Sequence, residues 1–376
     1  MADVHGTCDP RFEGLRAILS DQLDSGADVG ASVAAFVHGE PVADIWGGFT
    51  DEAKTTPWQA DTLTNVWSTT KTMMFVTALL LHDRGELDFG APIAKYWPEF
   101  AAEGKGDVEV RMIMGHTSGL SGWDTAITAE DLADWEKCTS LLAAQAPWWT
   151  PGQGSGYHAV TQGYLIGEVV RRITGETIGS FFAREVAKPL EADFLIGQPE
   201  SEEHRIALVI PPPPLDPSQM GAELPPFMLR TFMNPMIDAT MAHHPWFRRC
   251  ESPAANGQGN ARSVAAVQSV VSGRGEARGV RLFSEKTADV IFEVQAEGID
   301  QVLGAPLRMG MGYGLANVDM PIGPRACYWG GYGGSVVVND MDTGLTISYV
   351  MNRMESGLVG DTRGMNIVAE AMRVVA

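Results

Sequence analysis

A chain of 376 residues is long enough to bury a large core, and its length suggests two domains or one domain with a large insertion. Hydrophobic residues make up 45% and charged residues 20%, an ordinary composition for a soluble globular protein. The formal charge of −20, from 47 acidic against 27 basic residues, argues against nucleic acid and anionic membrane surfaces as partners, since both need clustered Lys and Arg.

Met1 to His5 shows neither a basic n-region nor an apolar h-region, so no signal peptide is visible, and no run reaches the length of a membrane span. Cys8, Cys138, Cys250 and Cys327 lie far apart without CxxC or Cys/His spacing. They fit separate reduced thiols in a cytoplasmic protein better than a disulfide framework or a zinc site. His243 and His244 are adjacent and would point in different directions on a helix, so no metal site is expected there.

Residues 10–24 predict an amphipathic helix with Phe12, Leu15, Ile18, Leu19 and Leu23 on one face. Residues 31–37 and 42–47 predict a hairpin across His38-Gly39-Glu40-Pro41. A polar loop over 51–61 leads to Trp67-Ser68-Thr69-Thr70-Lys71, where a helix begins. Met73, Val76, Leu79 and Leu80 recur on one face of that helix, and Gly85 supplies its C-terminal stop.

Residues 87–100 carry Gly90, Pro92 and Pro98 and are expected to be irregular, and 110–114 leads into a turn at His116-Thr117-Ser118-Gly119-Leu120. Helices are expected over 129–144 and 159–173, the second stopping at Gly175. From 209 to 260 the pattern changes. Pro211 to Pro214 exclude helix and central strand, and Met220, Phe227, Met228, Phe232, Met233, Met236, Trp246 and Phe247 follow without periodicity. A long irregular stretch of this kind is usually functional, as a lid or pocket wall, and methionine makes an adaptable lining.

A helix from Asn260 to Val271, short strands at 326–329, 335–339 and 345–351, and a closing helix over 361–374 complete the chain. Strands at both ends with helices between them give an α+β fold. Its antiparallel sheet is built from one lobe, 1–60 with 261–376, and the mostly helical insertion is 61–260.

Three constellations carry chemistry. Ser68 and Lys71, three apart at a helix start, lie on one side of the helix, the S-x-x-K arrangement in which a desolvated lysine helps activate a serine. Tyr157 follows the glycine-rich Gly154-Ser155-Gly156 at the head of a helix. Near a lysine ammonium its phenol is expected to ionise more easily and to serve as base, then acid. The late run Trp329-Gly330-Gly331-Tyr332-Gly333-Gly334-Ser335 lets backbone N–H groups approach a ligand, and one of them with the N–H of Ser68 would form an oxyanion hole.

In this order and spacing the motifs resemble the family VIII carboxylesterases, cytoplasmic relatives of class C β-lactamases and DD-peptidases. The resemblance spans nearly the whole chain, through His116 to Leu120, Tyr157-His158-Ala159-Val160 with Gly163 and Gly167, and Met351-Asn352-Arg353. It implies a β-lactamase/transpeptidase-like fold with the site between two lobes. It implies Ser68 as nucleophile, Lys71 and Tyr157 as its activators, and an oxyanion hole from the N–H groups of Ser68 and Tyr332. Trp329, Gly330, Gly331 and His158 are expected on the substrate side, with no metal and no cofactor.

Two departures from the β-lactamase pattern bear on the substrate. Ala159 stands where that pattern has asparagine, and neutral Trp329 stands where it has the lysine of K-T-G. Losing a charge-assisted bond to a carboxylate costs about 1.5–3 kcal/mol, roughly 10- to 150-fold in binding. Arg353 compensates only if it points into the cleft. Hydrolysis of small, short-chain neutral esters is therefore expected, with β-lactamase or transacylase activity at the same site as the alternative.

Overall fold

The computed structural model describes residues 2–213 and 224–376, so Pro214 and Met220 lie outside the described residues. A nine-stranded antiparallel sheet forms the centre of the molecule. Its strands are β1 (Val4–Cys8), β2 (Gly30–Val37), β3 (Glu40–Gly48), β4 (Ala296–Ile299), β5 (Pro306–Met309), β6 (Gly314–Leu315), β7 (Ala326–Gly330), β8 (Val336–Asp340) and β9 (Leu345–Met351), in the order β1-β3-β2-β9-β8-β7-β6-β5-β4. The seam between the chain's two ends is the β2–β9 pair, running from Leu345 opposite Val37 to Met351 opposite Ala31.

Helices cover both faces, which is why β8 and β9 are buried along their whole length, their polar positions included. Thr346 of β9 hydrogen-bonds Ser272 of α4 (Ala261–Ser272), and Asn339 of β8 donates to Gln268 of the same helix. On the opposite face Tyr349 lies against Gly364 of the closing helix α5 (Thr362–Val375), which packs with α1 (Glu13–Ser25). Side chains three apart on a strand point to opposite faces, so one strand serves both layers.

Helix α2 (Thr70–Asp83) is buried on all sides from Thr70 to Leu81, not on one face as its apolar spacing predicts. It packs against α4 and against α3 (Thr161–Thr174). A helix enclosed by others must be apolar or internally satisfied all round. Thr72 and Thr77 meet that condition by donating to the carbonyls of Thr69 and Met73.

The structure adds strands the pattern did not predict. β1 and β4 form the two edges of the sheet and are largely exposed, so neither shows the alternation of a half-buried strand. The helix expected over 129–144 breaks at Asp134, whose carboxylate caps a new helix at the N–H of Lys137. Residues Val110–Met114, expected only to lead into a turn, form a short helix.

Candidate active site

Ser68 lies in a single 3-10 turn, Trp67–Thr69, that leads directly into α2. Trp67 takes a left-handed φ of +46°, a costly backbone value for a bulky residue. Neighbours hold it there. The Asn65 side chain accepts the Trp67 N–H at 3.0 Å, and Asn65 itself pairs with Gln258 of a short neighbouring strand. The backbone before Ser68 is thus fixed by tertiary contacts, not by local preference.

Lys71 is fully buried and donates to the carbonyls of Ala159 at 2.6 Å and Ala254 at 2.9 Å, with Ser68 Oγ 3.2 Å away. Burial pushes its pKa well below the ordinary lysine value. Tyr157 Oη stands 2.6 Å from Ser68 Oγ, and the Lys71 amine lies 4.9 Å from the centre of the Tyr157 ring. Burial pushes the Tyr157 phenol upward, with its hydrogen bond to Ser68 only partly opposing that. The expected easy ionisation of Tyr157 is therefore reversed, because desolvation of the buried phenol outweighs what its hydrogen bonds contribute to the phenolate. Asp300, which sequence spacing did not single out, positions Tyr157 by accepting its backbone N–H at 3.0 Å.

The glycine-rich run after β7 closes against the same turn. A Cβ on Gly331 would stand 2.3 Å from the Val66 carbonyl, so only glycine permits this approach. Ser335 fastens the far end, bonding Thr69 Oγ1 at 2.9 Å and donating to the Val66 carbonyl at 3.0 Å. Among the described residues the Tyr332 N–H donates to no protein acceptor, and the Ser68 N–H stands in a helix's first turn.

Above Ser68 opens a cavity of about 520 Å³ lined by Trp67, Tyr157, Phe232, Phe247, Tyr332 and further apolar side chains. Most of this wall comes from the irregular segment, including Met228, Leu229, Met233 and Met241. Among the described residues Asp238 is the one charged residue in the lining, and no Lys or Arg contributes to it. A roomier groove of about 840 Å³ beside Trp97 and Trp135 contains none of the S-x-x-K residues. Its Glu168 is already satisfied by Trp135, Arg171 and Arg172.

Four residues expected on the substrate side sit elsewhere. Trp329 is fully buried behind Tyr157 and His116, with ring centres 5.6 and 5.9 Å away, and does not line the cavity. Gly330 and Gly331 are buried by backbone packing. The His158 ring is consumed by the Gly156 carbonyl at 2.6 Å and Ser118 Oγ at 2.7 Å, so it braces the 116–120 turn. Arg353 points to the Gly26 carbonyl and supplies no charge to the cleft.

A family model described as Beta-lactamase matches residues 15–371. The chain belongs to the beta-lactamase family. A solved structure described as a family VIII carboxylesterase matches this member of the family with a TM-score of 0.94 at 36% identity, covering 99% of this chain and 100% of that one. A penicillin-binding protein homologue from Caulobacter crescentus matches with a TM-score of 0.93 at 32% identity, covering 99% and 100%. The esterase/beta-lactamase LipL of Mycobacterium tuberculosis is 34% identical over 371 residues, 95% of this chain and 84% of LipL. The α+β, β-lactamase/transpeptidase-like fold and the family VIII resemblance read from the motifs are borne out. Among the described residues no helix is long and apolar enough to cross a membrane.

Proposed function

We propose that this beta-lactamase-family protein is a serine carboxylesterase acting on small neutral esters through an acyl-enzyme on Ser68. One observation carries the reading: Ser68 Oγ lies within reach of both Tyr157 Oη and Lys71 Nζ at the floor of an apolar cavity whose described lining holds no Lys or Arg. The similarity to proteins described as esterases supports the same reading.

The hydrogen bonds suggest how the proton moves. A neutral amine has two N–H donors and one lone pair. Lys71 spends two donors on the carbonyls of Ala159 and Ala254, which leaves the lone pair for the Ser68 hydroxyl. Tyr157 in turn donates to Ser68 Oγ. Lys71 therefore takes the Ser68 proton as Oγ bonds to the ester carbonyl carbon. The resulting oxyanion is held by the N–H groups of Ser68 and Tyr332. Collapse expels the alcohol oxygen, which takes a proton from the Lys71–Tyr157 pair, best treated as one titrating unit. Water then attacks the acyl carbon, the same pair accepts its proton and returns it to Ser68 Oγ as the acyl–oxygen bond breaks.

An apolar wall with no Lys or Arg among its described residues favours a neutral ester over an anionic β-lactam. We also read the chain as cytoplasmic, since its four cysteines are free, which cell fractionation would check. Ser68→Ala should lower aryl butyrate hydrolysis by about a thousandfold or more while the circular dichroism spectrum stays unchanged. Substantial residual activity would remove Ser68 as nucleophile, and faster turnover of a chromogenic cephalosporin than of the butyrate would favour the β-lactamase alternative.

A further inference from the structure

One buried side chain outside the cavity is tied to the loop that carries the Tyr332 N–H. Arg363, in the first turn of α5, is buried and makes hydrogen bonds in several directions at once. Its Nη1 donates to the Asp28 carboxylate at 2.8 Å and to the carbonyls of Ala27 at 3.0 Å and Arg353 at 2.9 Å. Its Nη2 donates to the Asp361 carboxylate at 2.6 Å and to the Gly333 carbonyl at 2.8 Å. Asp28 is held in turn by Tyr349 Oη of β9 at 2.7 Å.

The Gly333 carbonyl is the informative partner. Gly333 and Gly334 have φ values of +95° and +131°, so the peptide between them is flanked by two glycines. Without a Cβ on either side, local sterics set no preference between this orientation and its flipped alternative. Hydrogen bonds must decide it, and the Gly333 carbonyl has two: Arg363 Nη2 and the N–H of Glu355 at 2.9 Å. The same peptide's N–H, on Gly334, donates to the Gly331 carbonyl at 3.2 Å, and that carbonyl shares its peptide with the Tyr332 N–H, which has no protein acceptor among the described residues.

We infer that Arg363 is a positioning residue for the oxyanion hole: it fixes the Gly333 carbonyl and thereby aims the Tyr332 N–H at the oxygen of the reacting ester. The inference rests on the esterase reading above. The ion pairs with Asp28 and Asp361 neutralise the buried guanidinium, and the Tyr349 contact anchors the assembly to the central sheet. Lysine keeps the charge but lacks the planar fork that reaches a carboxylate and a carbonyl together.

The test uses the full chain with Arg363→Lys and Arg363→Gln. Removing one oxyanion donor costs about 10²–10³ in kcat, so a misaimed one should cost about tenfold or more on aryl butyrate, with KM changed less than about threefold. A slowly deacylating aryl cinnamate, isotope-labelled at its carbonyl, gives a second reading by infrared spectroscopy. The acyl-enzyme carbonyl band should move to higher wavenumber in both variants as its hydrogen bonding weakens. A purely structural role leaves that band where it is in the folded fraction. An unmoved band, kcat within about twofold of the unsubstituted protein, or failure of both variants to fold would overturn the inference. Absence of any acyl band in the unsubstituted protein would overturn the esterase reading instead.

Discussion

Lys71 has hydrogen-bond partners on three sides and no acidic counter-ion among the described residues. A carboxylate beside it would hold the proton on the amine, whereas backbone carbonyls accept from amine and ammonium alike. Burial then shifts the balance toward the neutral amine, the form that can accept the Ser68 proton. Activity should accordingly rise with pH through an ionisation well below the ordinary lysine value of about 10.4. Stability follows the same sign. The unfolded chain binds the extra proton between the depressed pKa and the ordinary value, so this group's contribution grows as pH rises across that window. Lys71→Arg keeps a permanent positive charge, and should lower kcat/KM by about 10²–10⁴ and abolish the rising limb of the pH profile. A variant that retains the limb would assign it to another group.

At the scale of elements, two backbone segments meet around Ser68, and neither is competent alone. The Trp67–Thr69 turn depends on Asn65 and the neighbouring short strand. The run after β7 depends on Ser335 bonding back to Thr69 and Val66. Gly331 sits where they touch. Gly331→Ala places a methyl 2.3 Å from the Val66 carbonyl and 2.4 Å from Ser335 Oγ, so the segments must separate. Overpacking of this kind costs about 1–3 kcal/mol in stability, measurable by urea unfolding. The larger effect should be catalytic, a fall in kcat of about tenfold or more with KM little changed, since the displaced N–H belongs to the adjacent peptide. Unchanged kcat would show that this contact does not set the site's geometry. α2 obeys the same logic of mutual support: its apolar residues face neighbours on every side, so it positions Ser68 as part of the core.

For the whole molecule, the charge of −20 and a cavity whose one charged lining residue among those described is Asp238 act in the same direction. Substrates that carry a negative charge meet a repulsive field, while neutral ones do not. An aryl hemisuccinate should be hydrolysed more slowly than the neutral aryl butyrate, and its kcat/KM should rise with added salt as the Debye length falls from about 30 Å at 0.01 M to 10 Å at 0.1 M. A hemisuccinate that reacts faster than the butyrate would point to a cation in reach of the site. The sequence by itself determined the fold class and the strands at both ends of the chain, and it brought out Ser68, Lys71 and Tyr157 as candidates, because helix spacing, β-runs and glycine-rich turns are local signals. It also marked the aromatic and methionine-rich stretch that became the cavity wall. Directions were decided by tertiary structure. Trp329 and His158 stand in the right motifs but turn away from the cavity, Arg353 turns to Gly26, and the Tyr157 phenol is pushed up instead of down. Each outcome depends on what is packed around the side chain, and burial and dielectric are properties of the folded whole that no local spacing encodes.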